Sequence, residues 1–484
     1  MATAGLFPDS LTPTSGSRRV LVAPMIIAAT SLGFAIQLHD GEFSPDATGQ
    51  AAIALLTLSL VACAVSVIGP ALRRVELRRF EHFVLPLFKM ALFLQFLTLF
   101  IAWPGRDVID TIKMSRLPFW AGLMIASGLL IFGPHNGLRS WFPLLLAVFA
   151  ALGIWTVHYS PQPAIDVWMF QQNAAAELLH GHNPYAMTFP DIYHSTLLGH
   201  QQVYGTGLVV EDRLQFGFPY PPVSLLLATV GYLAVGDHRY AQVAALVLAG
   251  LFMGYSGRGR IAMPGAALFL FMPRVFFVLG RGWTEPFVVM LLAATIFCAC
   301  RRSRWLPVAL GLFLATKQYL IFAVPLTYFL LPSSEDAPGG IRWRAWFDLL
   351  WKTILTAAIV TLPFVLWDPH AFWKSTMSVQ ELAPFRWDAL SYLVWYGFRG
   401  HLVTQPSTAL IWSTLAALVT LALSLWRSPR TPAGFAASLS LLSIAFFAFN
   451  KQAFCNYYFF VIGAMCCAIA ASSFEASVGL LRSK

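Results

Sequence analysis

The stretch AAIALLTLSLVACAVSVIGP, which begins at Ala51 and ends at Pro70, carries no charged residue. It has the length a helix needs to cross the hydrocarbon core of a bilayer, about 20 residues. Backbone groups in lipid must find partners within their own segment, so such a run reads as a helix. Outward from it, similar apolar runs recur at residues 20–36, 86–103, 119–132 and 141–157. A long polar interruption, 159–221, follows. Apolar runs resume at 222–235, 241–254, 262–279 and 286–299, then at two short segments, 306–315 and 319–331. The last four are 349–367, 409–426, 435–449 and 457–471. Of the 484 residues, 58% are hydrophobic and 11% charged, against about 25% charged in a soluble domain. With a mean hydropathy of +0.67, too little polar surface is left to cover a water-soluble globule. The expected fold is all-α: a polytopic transmembrane helix bundle of about 13–14 spans with one large loop off the membrane.

The formal net charge is +10. Lys and Arg gather in short loops, where they set orientation, so the surplus is not read as a nucleic-acid surface. Arg18 and Arg19 place the N-terminus inside, and the run after them reads as an uncleaved first span rather than a signal peptide. Arg73, Arg74, Arg78 and Arg79 mark an inner loop. So do Arg301, Arg302 and Arg304, the pairs Arg342 with Arg344 and Arg427 with Arg430, and the tail with Arg482 and Lys484. The loop 37–50 carries Asp40, Glu42 and Asp46 and no Lys or Arg, so it faces out, and so then does the loop 158–221. Arg258 and Arg260 face in, with Glu285 out, if segment 222–235 re-enters from the outer side rather than crossing. The short segments 306–315 and 319–331 read as a helix broken near Lys317 or as two short tilted spans. Broken helices at membrane depth are tolerated where they line a cavity. The six cysteines have no disulfide or zinc spacing.

Four stretches on the outer side carry chemistry. Asp166 lies just beyond an apolar helix; a carboxylate there suits a general base facing an aqueous cavity, or the N-cap of the amphipathic run 167–179. Downstream come His180-Gly-His182-Asn183-Pro-Tyr185 and Phe218-Pro-Tyr220-Pro-Pro222. His180, His182 and His194 lack Cys or paired acidic companions, so they read as hydrogen-bonding or surface histidines rather than metal ligands. In Arg281-Gly-Trp-Thr-Glu285-Pro286, Thr284 or Glu285 suits a first-turn cap; alternatively Arg281 and Glu285 meet at the interface, where a cation can hold a lipid phosphate. In Thr316-Lys317-Gln318, a lysine between apolar segments faces a cavity, pairs with a charge or snorkels to the interface. In Asn450-Lys451-Gln-Ala-Phe-Cys-Asn456, three polar side-chain types crowd a helix junction. One isolated carboxylate and several cations on one side fit transfer from an anionic lipid donor. The cations stabilise the leaving phosphate and the carboxylate activates the acceptor.

An Asp after an apolar helix, an amphipathic segment ending in Gly-His-Asn-Pro-Tyr (181–185), and Tyr-Pro-Pro (220–222) before the next helix resemble the GT-C glycosyltransferases. The nearest resemblance is to glycosyltransferase family 87, the polyprenyl-phosphate-mannose-dependent mannosyltransferases; Thr284–Pro286 and Thr316–Gln318 also look like that family's later motifs. It covers roughly residues 141–471. The four apolar segments before Trp141 depart from the family's pattern and read as an added module.

The resemblance implies an inverting transfer of a sugar, mannose by analogy, from a polyprenyl-phosphate donor to a lipid or glycan acceptor on the non-cytoplasmic face. It implies Asp166 as catalytic base and Arg281, Lys317 and Lys451 as phosphate contacts. His182, Asn183, Tyr185, Tyr220, Glu285, Gln318 and Asn456 are implied around the substrate, with no metal or cofactor beyond the lipid-linked sugar. The organisation implied is a polar cytoplasmic N-terminus (1–19), an N-terminal transmembrane module (20–140), a GT-C-like catalytic domain (141–472) including the outer loop 158–221, and a cytoplasmic tail (473–484). The expected place is a bacterial plasma membrane, with the site facing outside and membrane lipids around the chain. A transporter or flippase of polyprenyl-linked sugars is the alternative reading. It predicts polar groups through the membrane depth, and the spans carry few.

Overall fold

Each apolar run becomes helix in the computed structural model, which describes residues 19–69, 83–102, 116–131, 138–160, 162–193, 203–257, 261–331, 342–400 and 406–472. The helices before the polar interruption are α1 (Val22–Leu38), α2 (Ala47–Ile68), α3 (Val84–Ala102), α4 (Leu117–Ile131) and α5 (Leu138–Tyr159). The interruption holds α6 (Asp166–Leu179) and short strands β1 (Phe189–Pro190), β2 (Val209–Val210) and β3 (Arg213–Leu214). Then come α7 (Pro222–Val235), α8 (Arg239–Ser256), α9 (Ala262–Leu270), α10 (Val275–Arg281), α11 (Glu285–Cys300), α12 (Leu306–Leu314) and a 3-10 helix, Gln318–Leu330. The chain continues through α13 (Trp343–Trp367), α14 (Pro369–Trp373), a π turn (Lys374–Ser378), α15 (Val379–Leu382), α16 (Tyr392–Gly397), α17 (Pro406–Arg427), α18 (Pro432–Ala448) and α19 (Cys455–Ala471).

Among the described residues, five helices are long and apolar enough to cross a membrane. They are α2, α3, residues Trp141–Tyr159 of α5, α13, and Thr408–Arg427 of α17; the α9–α10 pair makes a sixth if counted as one bent span. That is fewer than the 13–14 crossings the apolar runs suggest. Many of the remaining helices are apolar but shorter, among them α1, α4, α7, α11, α18 and α19. Segment 262–279, a single apolar run in the sequence, bends by 52° between α9 and α10. Pro273 lies in the break; it lacks the N–H and disfavours helix at the residue before it.

Two kinds of helix result. α18 and α19 are buried almost throughout, and α19 packs against α18, α1, α11 and α9. Small residues permit the close approach: a Cβ on Gly463 of α19 would sit 2.6 Å from the Val289 side chain of α11. By contrast α13 and α17 expose Ile354, Ile359, Leu366, Leu410, Ile411 and Trp426. An apolar face of that extent is stable against lipid tails and costly in water.

Contacts divide the bundle into two ends. At the far end the Arg301 guanidinium donates to Tyr255 O (2.5 Å), Gly257 abuts Ala470 O, and Leu21 N donates to Ser66 O (3.2 Å). Arg430 lies over the Tyr328 ring there. At the opposite end Arg239, at the start of α8, reaches Ser160 and Gly280, while Gln171 of α6 reaches Gly282 O. α7 begins with Val223 N on Ala315 O (3.4 Å) and ends with Gly236 O accepting from Gln172 Nε2 (2.6 Å), so both its ends stay with this second end. α12 and the 3-10 helix run in opposite directions with Lys317 at their turn, which makes them two arms rather than one broken helix.

The described part of the interruption, 159–160, 162–193 and 203–221, is structured. β3 pairs antiparallel with β1 (Phe189 opposite Leu214) and with β2 (Val210 opposite Arg213), a small departure from an all-α fold. Glu211 and Asp212, both at positive φ, make the two-residue turn between β2 and β3. Trp168, Phe170, Tyr185, Phe189, Phe216 and Phe218 belong to a buried cluster of its own beside the bundle. Ser375 of the π turn stitches it down, donating to Tyr185 O (2.9 Å) and accepting from Gly217 N (2.8 Å). A Cβ at Gly217 would fall 2.3 Å from Tyr185 O. Gly217→Ala is therefore expected to cost about 1–3 kcal/mol, read as a lowered melting temperature in detergent.

Candidate functional site

Asp166 is the first helical residue of α6, and the N-cap position belongs to Ile165, so the carboxylate is not the cap. Its Oδ1 accepts from Val167 N (2.7 Å) and from the Tyr193 hydroxyl (3.3 Å), and Oδ2 accepts from the Tyr204 hydroxyl (3.1 Å). Asp166 N in turn donates to the Tyr193 oxygen (3.2 Å). Burial pushes the carboxyl above the usual Asp range, against the Tyr204, Val167 and Tyr193 hydrogen bonds and the charge of Arg386. Burial also pushes both tyrosine hydroxyls up, so they remain protonated donors.

A second group lies at the same end. Lys317 Nζ is 3.1 Å from Glu285 Oε1 and 4.0 Å from the centroid of the Tyr220 ring. Glu285 Oε1 also accepts from Asn456 Nδ2 (3.1 Å). Lys317 and Glu285 are both buried, and Asp166 adds its charge to the surroundings of Lys317. Four residues singled out in four separate motifs thus meet in one contact set. Tyr220 is held there because its carbonyl accepts from the Tyr185 hydroxyl (3.0 Å). Gln318 ties Pro219 O (2.8 Å) to Thr376 O (3.0 Å). Asn183 Oδ1 accepts from Tyr185 N (3.0 Å), while Asn183 Nδ2 and the Tyr319 hydroxyl are buried without a hydrogen-bond partner among the described residues.

Other sequence candidates fall elsewhere. Glu285 pairs with Lys317, not with Arg281. Arg281 stacks on Phe277 at 5.3 Å and has no ion-pair partner among the described residues. Thr284 holds the N-cap position of α11 without a capping hydrogen bond from its side chain. Lys451 spends its ammonium on the carbonyls of Gln380, Glu381 and Ala383, closing the C-terminal end of α15. Nothing places it against Asp166. His182 is exposed and bonded to Glu177 (2.6 Å). His194, Arg18, Arg73, Arg74, Arg78, Arg79, Arg258, Arg260, Arg482 and Lys484 lie outside the described residues.

Sequence reading missed Tyr193, Tyr204 and Arg386. Arg386 pairs with Asp388 (2.5 Å) and lies over the Phe454 ring at 5.0 Å. The signal for Arg386 was present: residues 368–400 are a mixed polar and aromatic interruption between two apolar runs, as 159–221 is. Nothing local marks Tyr193 and Tyr204.

No family model, curated protein or solved structure matches this chain.

Proposed function

We propose that this membrane protein is a glycosyltransferase that moves a sugar, mannose by the family resemblance, from a polyprenyl-phosphate donor to a lipid or glycan acceptor. The observation that carries the reading is the half-buried Asp166 carboxylate, held by two tyrosine hydroxyls at the end of the bundle that also holds Lys317. The acceptor hydroxyl gives its proton to Asp166 as its oxygen attacks the anomeric carbon from the face opposite the phosphate. The carbon–oxygen bond to phosphate breaks with inversion, and the polyprenyl phosphate leaves with one further negative charge. Lys317 stabilises that charge in a site of low dielectric. Asn183 and Tyr319 offer unspent donors to sugar hydroxyls.

Charge supports the orientation. Arg301, Arg302, Arg304, Arg427 and Arg430 lie in short loops at the far end, whereas the site-end cations Arg239, Arg274, Lys317 and Arg386 are each paired with an acid, Asp237, Asp40, Glu285 and Asp388. By the positive-inside rule the site faces away from the cytoplasm, outside a bacterial plasma membrane.

The test is transfer by the full chain, reconstituted with synthetic polyprenyl-phosphate mannose and a total lipid and glycan extract. Labelled sugar on an acceptor is the expected result. Movement of intact donor across the vesicle membrane without transfer would assign a flippase instead.

A further inference from the structure

Lys317 and its neighbour Gln318 take hold of two neighbouring residues of the first outer loop. The Lys317 ammonium lies 4.0 Å from the centre of the Tyr220 ring. The Gln318 amide donates to the carbonyl just before that residue, Pro219 O (2.8 Å), and to Thr376 O (3.0 Å) in the π turn. An amide NH2 has two donors, and here both are spent on backbone. The π turn is fastened to the same loop by its next residue back. Ser375 and Thr376 are buried, and Ser375 joins Tyr185 O to Gly217 N. The Tyr185 hydroxyl in turn holds Tyr220 O (3.0 Å), and the Phe218 ring meets the Tyr220 ring edge-on at 5.5 Å. Residues 217–220 are thus closed between the Lys317 turn and the π turn, and Gln318 touches both. The Lys317 side chain is 4% exposed, with Glu285 Oε1 at 3.1 Å and the face of Tyr220 as the other contact. An ammonium is a compact charge on a flexible four-carbon stem, so its place is set by the walls around it. Tyr220 is one wall, and Gln318 holds the backbone from which that wall projects.

We propose that Gln318 is a positioning residue of the site rather than a substrate contact: by binding Pro219 O and Thr376 O it fixes the Tyr220 ring over Lys317, and so fixes the ammonium where charge develops on the leaving phosphate. The inference rests on Lys317 stabilising that charge. A cation serves the transition state when it is already in place, and a misplacement of about 1 Å costs about 10²-fold in rate.

The test uses the full chain in detergent and takes two readings. The first needs no sugar: the rate at which acetic anhydride acetylates Lys317, located by mass spectrometry, with the exposed Lys352 as internal reference. Gln318→Met keeps the length of the side chain and removes both donors. It is expected to speed acetylation of Lys317 by about 5- to 30-fold, the effect of losing one or two hydrogen bonds, and to leave Lys352 unchanged. Tyr220→Leu removes the wall itself, and Gln318→Met should add nothing in that background, because both changes open one contact. The second reading is transfer. Gln318→Met should lower kcat by about 10- to 100-fold with the donor KM held within about 2-fold. Ser375→Ala loosens the clasp from the π turn; it should move both readings the same way by a smaller amount, and it carries the test if Gln318→Met does not fold. Acetylation of Lys317 that does not change, or that rises further in the double variant, overturns the proposal. So does a raised donor KM with kcat intact, which would make the Gln318 amide a substrate contact. If acetylation responds as expected while the wild type transfers no sugar, the glycosyltransferase reading falls and the hold of Gln318 on Lys317 stands.

Discussion

Asp166→Asn is expected to abolish transfer, with a loss of about 10²- to 10⁴-fold in kcat while the protein remains folded. The amide keeps the shape of the carboxylate and its oxygen still accepts from Val167 N, so α6 keeps its start. What it loses is the ability to take a proton from the acceptor. Wild-type activity should fall as pH drops through the Asp166 pKa, because the protonated carboxyl is no longer a base. Burial raises that pKa above its ordinary value of 3.8, so the acidic limb should lie above the range of an exposed aspartate. A melting curve and a pH–rate profile on both proteins check this; full transfer by a folded Asp166→Asn would remove Asp166 from the mechanism.

Lys317→Ala is expected to damage both stability and transfer. It strands the Glu285 carboxylate, which is wholly buried, and removes the cation over Tyr220. Breaking one side of a buried ion pair costs about 3–5 kcal/mol, because the remaining charge has neither water nor partner. Asn456 still donates to Glu285 but supplies no compensating charge. The double variant Lys317→Met/Glu285→Gln removes both charges and should recover much of the melting temperature without recovering transfer. Recovery of transfer as well would make the pair a structural brace only. The check is a set of melts in detergent beside transfer rates at saturating donor.

The two variants probe parts of the site that differed in legibility. Asp166, Glu285, Lys317, Tyr220 and Asn456 stand out in the sequence because polar side chains at the edge of apolar runs need a reason to be there. Asp166 was legible as a candidate base, yet Tyr193 and Tyr204, which hold it, look like ordinary loop aromatics. Lys451 and Arg281 look as eligible for phosphate as Lys317 does. Only the folded chain separates them, by giving Lys451 three backbone carbonyls and Lys317 a carboxylate. The number of crossings is not legible in the same way: five helices, or six with the bent pair, are long and apolar enough among the described residues, while α18 and α19 are apolar, 17 residues long and buried in protein along nearly their whole length.

By itself the sequence determined where helices form, since transfer of an apolar segment out of water depends on the composition of that segment alone. It also determined the segregation of charge between loops. Tertiary structure decided which polar groups meet: Glu285 with Lys317, Tyr193 and Tyr204 with Asp166, and the α1–α2 turn against residues 388–389. Those pairings depend on distances between residues tens to hundreds of positions apart, which no local property of the chain encodes.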